Sequence, residues 1–325
     1  MTYAVSAEVE FPAVRDRERI IVRRVSSIKI ETSWKNLTDT ATVVLPRKVR
    51  DFDRMAVGDM FQDGDPIIIR YGYNGELNVE FEGYLSQVST YVPVVLTCED
   101  EMYKLKRKTV SVSREKCTLK QLLTAVAPGY KIQCDDMSVG SVRYDSKLVT
   151  EIFDDLKQKM QLHTYFKGKT LVCGITSIGD GSLVDVVIER QAENSLKDKS
   201  VGKIWVRVES LQHYQRKTAG KKQPKKLFAT KGEKDGNKIT IRQPNLTQVE
   251  IDKIADNIYT KAKQPGLDGD LILFGIPHIE HGMTAKLSSI LYPERNGMYY
   301  IDSVVKELEI SKGVRQTAKL GNKTT

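Results

Sequence analysis

Cysteine, histidine and tryptophan are scarce in this chain, at four, four and two among 325 residues. The cysteines, Cys98, Cys117, Cys134 and Cys173, form no Cys-x-x-Cys pair, and that spacing argues against a structural zinc site. Cys98 and Cys173 sit in apolar, strand-like runs, where a free thiol behaves as a small core residue. Folding in a reducing compartment is the simpler reading. No apolar run approaches the roughly 20 residues that a membrane-spanning helix needs. The opening residues, MTYAVSAEVEFPAVRDRERIIVRR, lack a basic segment followed by an apolar one, so no secretory signal is expected. Also missing are the Gly-x-Ser-x-Gly elbow, the phosphate-binding Gly-rich loop, the His-Glu-x-x-His pair and the dinucleotide fingerprint. Catalysts built on those motifs are excluded, and no cofactor or resident metal is implied.

The nearest approach to a ligand cluster is His278-Ile279-Glu280-His281. Pro277 and Gly282 flank it, which predicts a solvated turn with diverging side chains rather than a metal site. Asp154 and Asp155 are adjacent on a predicted helix, and helical neighbours one apart do not face each other, so they make no acid/base pair. Glu99-Asp100-Glu101 closes a strand and opens a helix, where acidic groups complement the helix N-terminus.

What is present is ordinary globular composition with a basic excess: 40% hydrophobic, 29% charged, net charge +9. The excess is uneven. Residues 215–238 hold Arg216 and eight lysines against Glu233 and Asp235. A solvated loop between strands is the expectation there; Phe228 is its one ring, and no stacking aromatics are seen to line a strand face. The length gives room for two to four domains, at roughly 100–200 residues each.

The strongest internal signal is a block that occurs twice. One copy runs from Gly64 to Asp100 and the other from Gly282 to Gly321. Each opens on a glycine turn and an alternating strand. Each then carries a strand with a matching stretch, Tyr84-Leu85-Ser86-Gln87-Val88 or Tyr300-Ile301-Asp302-Ser303-Val304, and closes with one more strand. Two similar β-modules in one chain point to an assembly part.

Other elements follow from period and punctuation. Residues 20–31 and 38–46 read as a hairpin that ends at Pro46, which cannot donate to a ladder. Asn74-Gly75 predicts a tight hairpin turn. Helices are predicted at 101–108, at 119–126 after the cap Thr118, at 147–161, and at 248–263 after the cap Thr247. Residues 162–174 read as a hairpin, and 203–214 and 237–242 as strands. The expected fold is mainly β with an α+β insert. Two similar small β-barrel modules, 1–100 and 201–325, flank a small α+β domain at 101–200. The second module carries the basic loop and one helix.

The order of these pieces resembles the baseplate hub proteins of contractile phage tails, the late-control-protein-D and Mu-like hub family. The resemblance is carried by VVLP at 43–46, GDPIIIRYGY at 64–73, FEGYLSQV at 81–88, CEDEMYKLKRK at 98–108, TLKQLL at 118–123, LVCG at 171–174 and GMYYIDSV at 297–304. It implies a homotrimer in which two tube-like barrels per chain make a pseudo-six-fold ring. That ring joins a hexameric tail tube to a trimeric spike, in a phage or a related injection device. The implied partners are further copies of the chain, the tail tube protein and other baseplate proteins. The chain ends at Thr325, so the spike is expected to be a separate protein. The expected location is the virion, after assembly in the bacterial cytoplasm. Neither membrane insertion nor catalysis is implied, and DNA enters at most as passing cargo.

As ring edges we expect the opening hairpin, with Arg23, Val25, Ile28, Ile30, Val43 and Leu45, together with Ile204, Val206 and Val208. The basic loop, with Lys217, Lys221, Lys222, Lys225 and Lys226, is expected to face a protein neighbour, because a cationic channel wall would retard a polyanion. The alternatives are a nucleic-acid-binding β-barrel protein and a tail-associated cell-wall hydrolase; the second needs a convergent carboxylate pair that the sequence does not display.

Overall fold

The computed structural model describes residues 4–46, 60–89, 93–175, 179, 181–212, 225–309 and 311–324. Strands predominate, with a few helices. The chain divides into two compact units. One holds Met1–Lys104, Gly179–Lys197 and Leu267–Thr325, and the other holds Leu105–Ile178 and Asp198–Gly266.

The strands of the first unit begin with β1 (Val5–Phe11), β2 (Ile20–Val22), β3 (Ser27–Ser33), β4 (Thr40–Val44), β5 (Pro66–Tyr73), β6 (Glu76–Val88) and β7 (Val95–Glu99). The second unit contributes β8 (Thr109–Thr118), β9 (Lys131–Cys134), β10 (Ser138–Leu148), β11 (His163–Lys167) and β12 (Thr170–Gly174). The chain then returns with β13 (Leu183–Val187) and β14 (Ala192–Asn194), and leaves again through the two-residue β15 (Lys197–Asp198). In the second unit follow β16 (Ile204–Gln212), β17 (Lys225–Gly232) and β18 (Asn237–Arg242). The first unit is completed by β19 (Leu267–Asp268), β20 (Asp270–Phe274), β21 (Thr284–Ser288), β22 (Gly297–Glu309) and β23 (Gly313–Lys323).

The first unit is organised by the repeat. Its sheet reads β14-β20-β23-β22-β3-β4-β7-β6-β5-β1-β2, with β21 paired to β22 and β13 to β21. Two stretches of this sheet have the same connectivity: β3-β4-β7-β6-β5 and β14-β20-β23-β22-β21. Each stretch wraps its own core. The first gathers Ile28, Ile30, Val43, Ile67, Ile69, Leu85 and Leu96. The second gathers Leu271, Leu273, Ala285, Leu287, Ile301, Val304 and Leu320.

The match extends to single hydrogen bonds. Gly64 donates its N–H to the Leu85 carbonyl at 2.7 Å, and Leu85 donates to Asp65 at 2.8 Å. Gly282 donates to Ile301 at 2.9 Å, and Ile301 donates to Met283 at 2.9 Å. The ladder then slips by one residue between Leu85 and Gln87 and, likewise, between Ile301 and Ser303. A β-bulge in the same place in both copies is a built feature that bends the strand.

Two helices of the second unit start at capping threonines. The short α1 (Met102–Leu105), where the chain passes from the first unit to the second, precedes them, and the second unit holds α2 (Leu119–Val126) and α3 (Val149–Met160). After α4 (Ile188–Gln191) of the first unit comes α5 (Gln248–Lys263) of the second. Thr118 and Thr247 each close a capping box, with Gln121 and Glu250 respectively. Helix α5 buries Ile251, Ile254, Ala255 and Ile258, and packs against β16 and β17, which bury Val206, Val208 and Ala229.

The partition therefore departs from the 1–100, 101–200 and 201–325 division expected from sequence. Strands β16, β17 and β18 form a sheet of their own, order β17-β16-β18, in the second unit. Their alternation marks them as strands without saying which sheet they join. The apolar face of α5 settles that, since it needs Val206 and Val208 beneath it. The second repeat is completed instead by β13 and β14.

Candidate assembly surfaces

The two repeats meet along β22. Its N-terminal half pairs with β21, and its C-terminal half, Ser303–Glu309, pairs with β3 from Ser33 back to Ser27. Leu308 and Val314, at the end of the β22–β23 hairpin, are buried in the core of the first repeat. So the longer hairpin of the second repeat both extends the sheet of the first and plugs its core.

Charge is buried at this junction. Lys306 of β22 meets the carboxylate of Glu80 on β6, with side chains 3% and 5% exposed. His278 joins them, its Nδ1 3.2 Å from Glu80 and its Nε2 3.0 Å from Glu280. The hydrogen bonds to Glu280 and Glu80 raise the His278 imidazole to about 9, so both ring nitrogens carry protons at neutral pH. Burial disfavours the charge on Glu80, but His278 and Lys306 together outweigh it and hold the carboxyl below its ordinary value. Such a cluster is tolerated in a core because each charge has a partner.

A second polar group lies at the bulge. Asp302, beside the slip in β22, accepts the Trp34 indole N–H at 2.8 Å and the Lys35 ammonium at 2.6 Å. At Gly321 a Cβ would stand 2.3 Å from Asp302 Oδ1, so a larger residue there would have to displace the Asp302 side chain that binds Trp34 and Lys35. Asp39 accepts the Ser33 N–H at 2.8 Å and lies 3.3 Å from His281 Nε2. Asp100 accepts N–H groups from Asp39 at 3.2 Å and from Met102 at 3.0 Å, so it caps α1 as the sequence suggested. The histidine segment, in contrast, is not the solvated turn expected: His281 is buried, and His278 is committed to two carboxylates. Its partners Glu80 and Asp39 lie about 200 residues or more away in the chain, out of reach of local reading.

At the other end of the sheet order, β14 pairs with β20 and has no strand on its far side among the described residues. Its counterpart β3 is covered on that side by β22. Glu193 and Asn194 are exposed. The β21–β22 connection lies beside this edge, with Arg295 donating to Asn194 Oδ1 at 3.1 Å.

The second unit presents an open sheet face. On the side of β16 away from α5, Arg207 lies 5.9 Å from the Trp205 ring and 5.7 Å from the Phe228 ring, and Lys238 lies 5.7 Å from Trp205. Glu209 pairs with Arg207, Lys226 and Arg242 at 2.6, 3.2 and 3.2 Å. Aromatic rings do line a strand face here, contrary to the sequence reading; the cross-strand register joins Trp205 to Lys238 and Glu209 to Phe228. The same unit has a cavity of about 690 Å³ whose charged lining includes Arg114, Arg143, Lys147, Asp155, Lys159 and Arg242.

The residues singled out from sequence are placed as follows. Val25, Ile28, Ile30, Val43 and Leu45 point into the core of the first repeat, and Arg23 pairs with Glu8 at 3.3 Å. Val206 and Val208 are buried under α5, and Ile204 is half-buried in the same middle strand. Lys226 is exposed and paired with Glu209. Lys225 begins β17. Lys217, Lys221 and Lys222, like His213, lie outside the described residues. Asp155 binds Lys159 at 2.8 Å, one helical turn on.

No family model matches the chain, and no curated protein matches it in sequence. Solved structures do match. The tail protein from Neisseria meningitidis MC58 aligns at a TM-score of 0.64 and 12% identity, over 99% of this chain and 97% of that one. The chain has the fold of this tail protein. The 43 kDa tail protein of prophage MuSo2 from Shewanella oneidensis shares this fold at a TM-score of 0.66 and 11% identity, over 98% of each chain. So does the E. coli c3393 protein, a component of the type VI secretion system, at 0.56 and 9%, over 93% of this chain and 74% of that one.

Proposed function

We propose that this chain is a non-enzymatic structural hub of a contractile phage tail or a related injection device. Three copies form a ring that joins a hexameric tail tube to a trimeric spike. The carrying observation is the doubled module: one strand order used twice, with the same glycine bracket and the same bulge. Three chains with two such modules each offer six similar positions around one axis, which is how a trimer meets a hexamer. The fold it shares with tail proteins and a secretion-system component supports this reading.

In this reading the tube-like parts are the two repeats of the first unit, and the opening hairpin offers the tube its outward side, since its apolar side is committed to the core. The basic segment around Lys226 faces a protein neighbour. The ring assembles in the bacterial cytoplasm and ends in the virion, against tube, spike and other baseplate proteins. The test is electron microscopy of the purified chain with its tube protein. Class averages with three-fold symmetry and six similar outer lobes are expected; two-fold or featureless particles overturn the reading.

A second reading is favoured by one surface. The rings of Trp205 and Phe228, interleaved with Arg207, Lys226, Lys238 and Arg242, make a face suited to single-stranded nucleic acid, which stacks on rings and neutralises its phosphates on cations. Titration with an oligonucleotide at several salt concentrations decides it. Affinity that falls steeply with salt and is lost in Trp205→Ala supports nucleic-acid binding; no binding at low salt removes it.

A further inference from the structure

The repeats differ in the connection between their third and fourth strands. Between β5 and β6 the first repeat turns on Asn74 and Gly75, both with positive φ, 54° and 87°. Between β21 and β22 the second repeat has instead a loop from Ser289 to Asn296. This loop exposes three consecutive apolar side chains: Ile290 at 79%, Leu291 at 71% and Tyr292 at 46%.

The loop is held in that posture. Glu189 Oε1 accepts from the Ser289 hydroxyl, and from the N–H groups of Ile290 and Leu291 at 3.1 Å each. The Ser289 hydroxyl oxygen accepts the Tyr292 N–H at 2.9 Å, and the Ser289 N–H binds Asn296 Oδ1 at 2.6 Å. Arg295 stacks 4.4 Å from the Tyr292 ring centre while binding Asn194 on the open edge strand. The loop's polar groups are thus spent inward, and its apolar side chains are presented to water. A contiguous apolar patch on an ordered loop marks an interaction site.

The repeat says what covers it. In the first repeat, Tyr73 at the matching connection packs against the second repeat of the same chain: its hydroxyl accepts the Gly275 N–H at 3.2 Å, at the end of β20, and its ring packs on the core that includes Val314 of the β22–β23 hairpin. Applied once more, that relation puts the Ser289–Asn296 loop against the end of β4 and the facing start of β7 of a first repeat. Within one chain the junction between the repeats is already made, so that first repeat belongs to another copy.

We propose that Ile290, Leu291 and Tyr292 form an intersubunit knob that docks on a second copy of this chain, near Pro46 and Pro93. The inference rests on the ring reading and adds to it the contact that closes the ring. The loop being unique to the second repeat, it also makes the chain-to-chain contact different from the junction within a chain, which fixes three-fold rather than six-fold symmetry.

The experiment uses the full chain in two forms. The first carries a photo-crosslinking residue at position 291, and the second is the Ile290→Ser, Leu291→Ser double variant. The expected results are a crosslink from 291 to a peptide containing Pro46 or Pro93 of another copy, and loss of the three-chain mass in the double variant, with unchanged circular dichroism and melting. Leu291→Met, which keeps the apolar side chain, retains the mass. A double variant that keeps the three-chain mass, or a crosslink only to a tube or spike protein in the assembled particle, overturns the knob and leaves the ring standing. A wild-type chain that stays single at every concentration and yields no crosslink overturns both.

Discussion

Gly282 donates its backbone N–H to the carbonyl of Ile301 at 2.9 Å, the bond that Gly64 makes to Leu85 in the first repeat. Both glycines have positive φ, 86° and 88°. An alanine in that region costs about 1–2 kcal/mol. Gly64→Ala and Gly282→Ala are therefore expected to lower stability by similar amounts of that size, read as shifts in the urea midpoint. A large loss from one and none from the other contradicts an equivalent structural role.

Lys306 and Glu80 are buried together, so the pair behaves unlike a surface ion pair. Removing one partner leaves the other charge unpaired in the core, at a cost of about 3–5 kcal/mol. Lys306→Met is expected to destabilise on that scale, and Glu80→Gln in the same chain to restore a large part of it. Urea denaturation of the two singles and the double measures the coupling.

His278 makes stability depend on alkaline pH. Its imidazole titrates at about 9 in the folded chain, against an ordinary value of 6.5 once the chain unfolds. Below pH 6.5 both states hold the proton and the ion pairs contribute in full. Between 6.5 and about 9 the unfolded chain has lost the proton that the folded chain keeps, so stability falls as pH rises. Melting temperature is expected to drop across that window, and His278→Gln to flatten the drop. At the acid end, hydrogen bonds from Arg19 and Arg70 hold the Glu10 carboxyl at about 2 against 4.5, so its contribution is lost as pH falls from 4.5 toward 2.

The cysteines differ in burial. Burial pushes the thiols of Cys98 and Cys173 up to about 12, whereas Cys134 is only half-buried. A thiol reagent at neutral pH is expected to modify Cys134 first and the other two only on unfolding, since the thiolate is the reactive form. Mass spectrometry of partly labelled protein reads this directly, and early labelling of Cys98 contradicts the packing.

Much of the local structure was legible because it is set locally. Thr118 and Thr247 announce their helices by the residues they cap, and Asn74-Gly75 announces its turn. The repeat was legible through Tyr84 and Tyr300 because the same bulge and glycine bracket demand similar residues. What lay beyond reach was long-range. Nothing near Ser303 says that it pairs with Ser33, and nothing near His278 names Glu80. Ile204–Val208 alternates as any half-buried strand does, so its place beneath α5 rather than in the second repeat depends on tertiary packing. The ring face at Trp205 and Phe228 emerged only once register joined two strands. The knob was hidden for another reason: an Ile-Leu-Tyr run reads as core until the Glu189 carboxylate is seen to turn it outward.

The central claim, a three-chain ring built from doubled modules, is tested most directly by solution mass from light scattering at low and high protein concentration. The account predicts three times 36.7 kDa, about 110 kDa. A dimer of about 73 kDa, twice the chain mass, contradicts it.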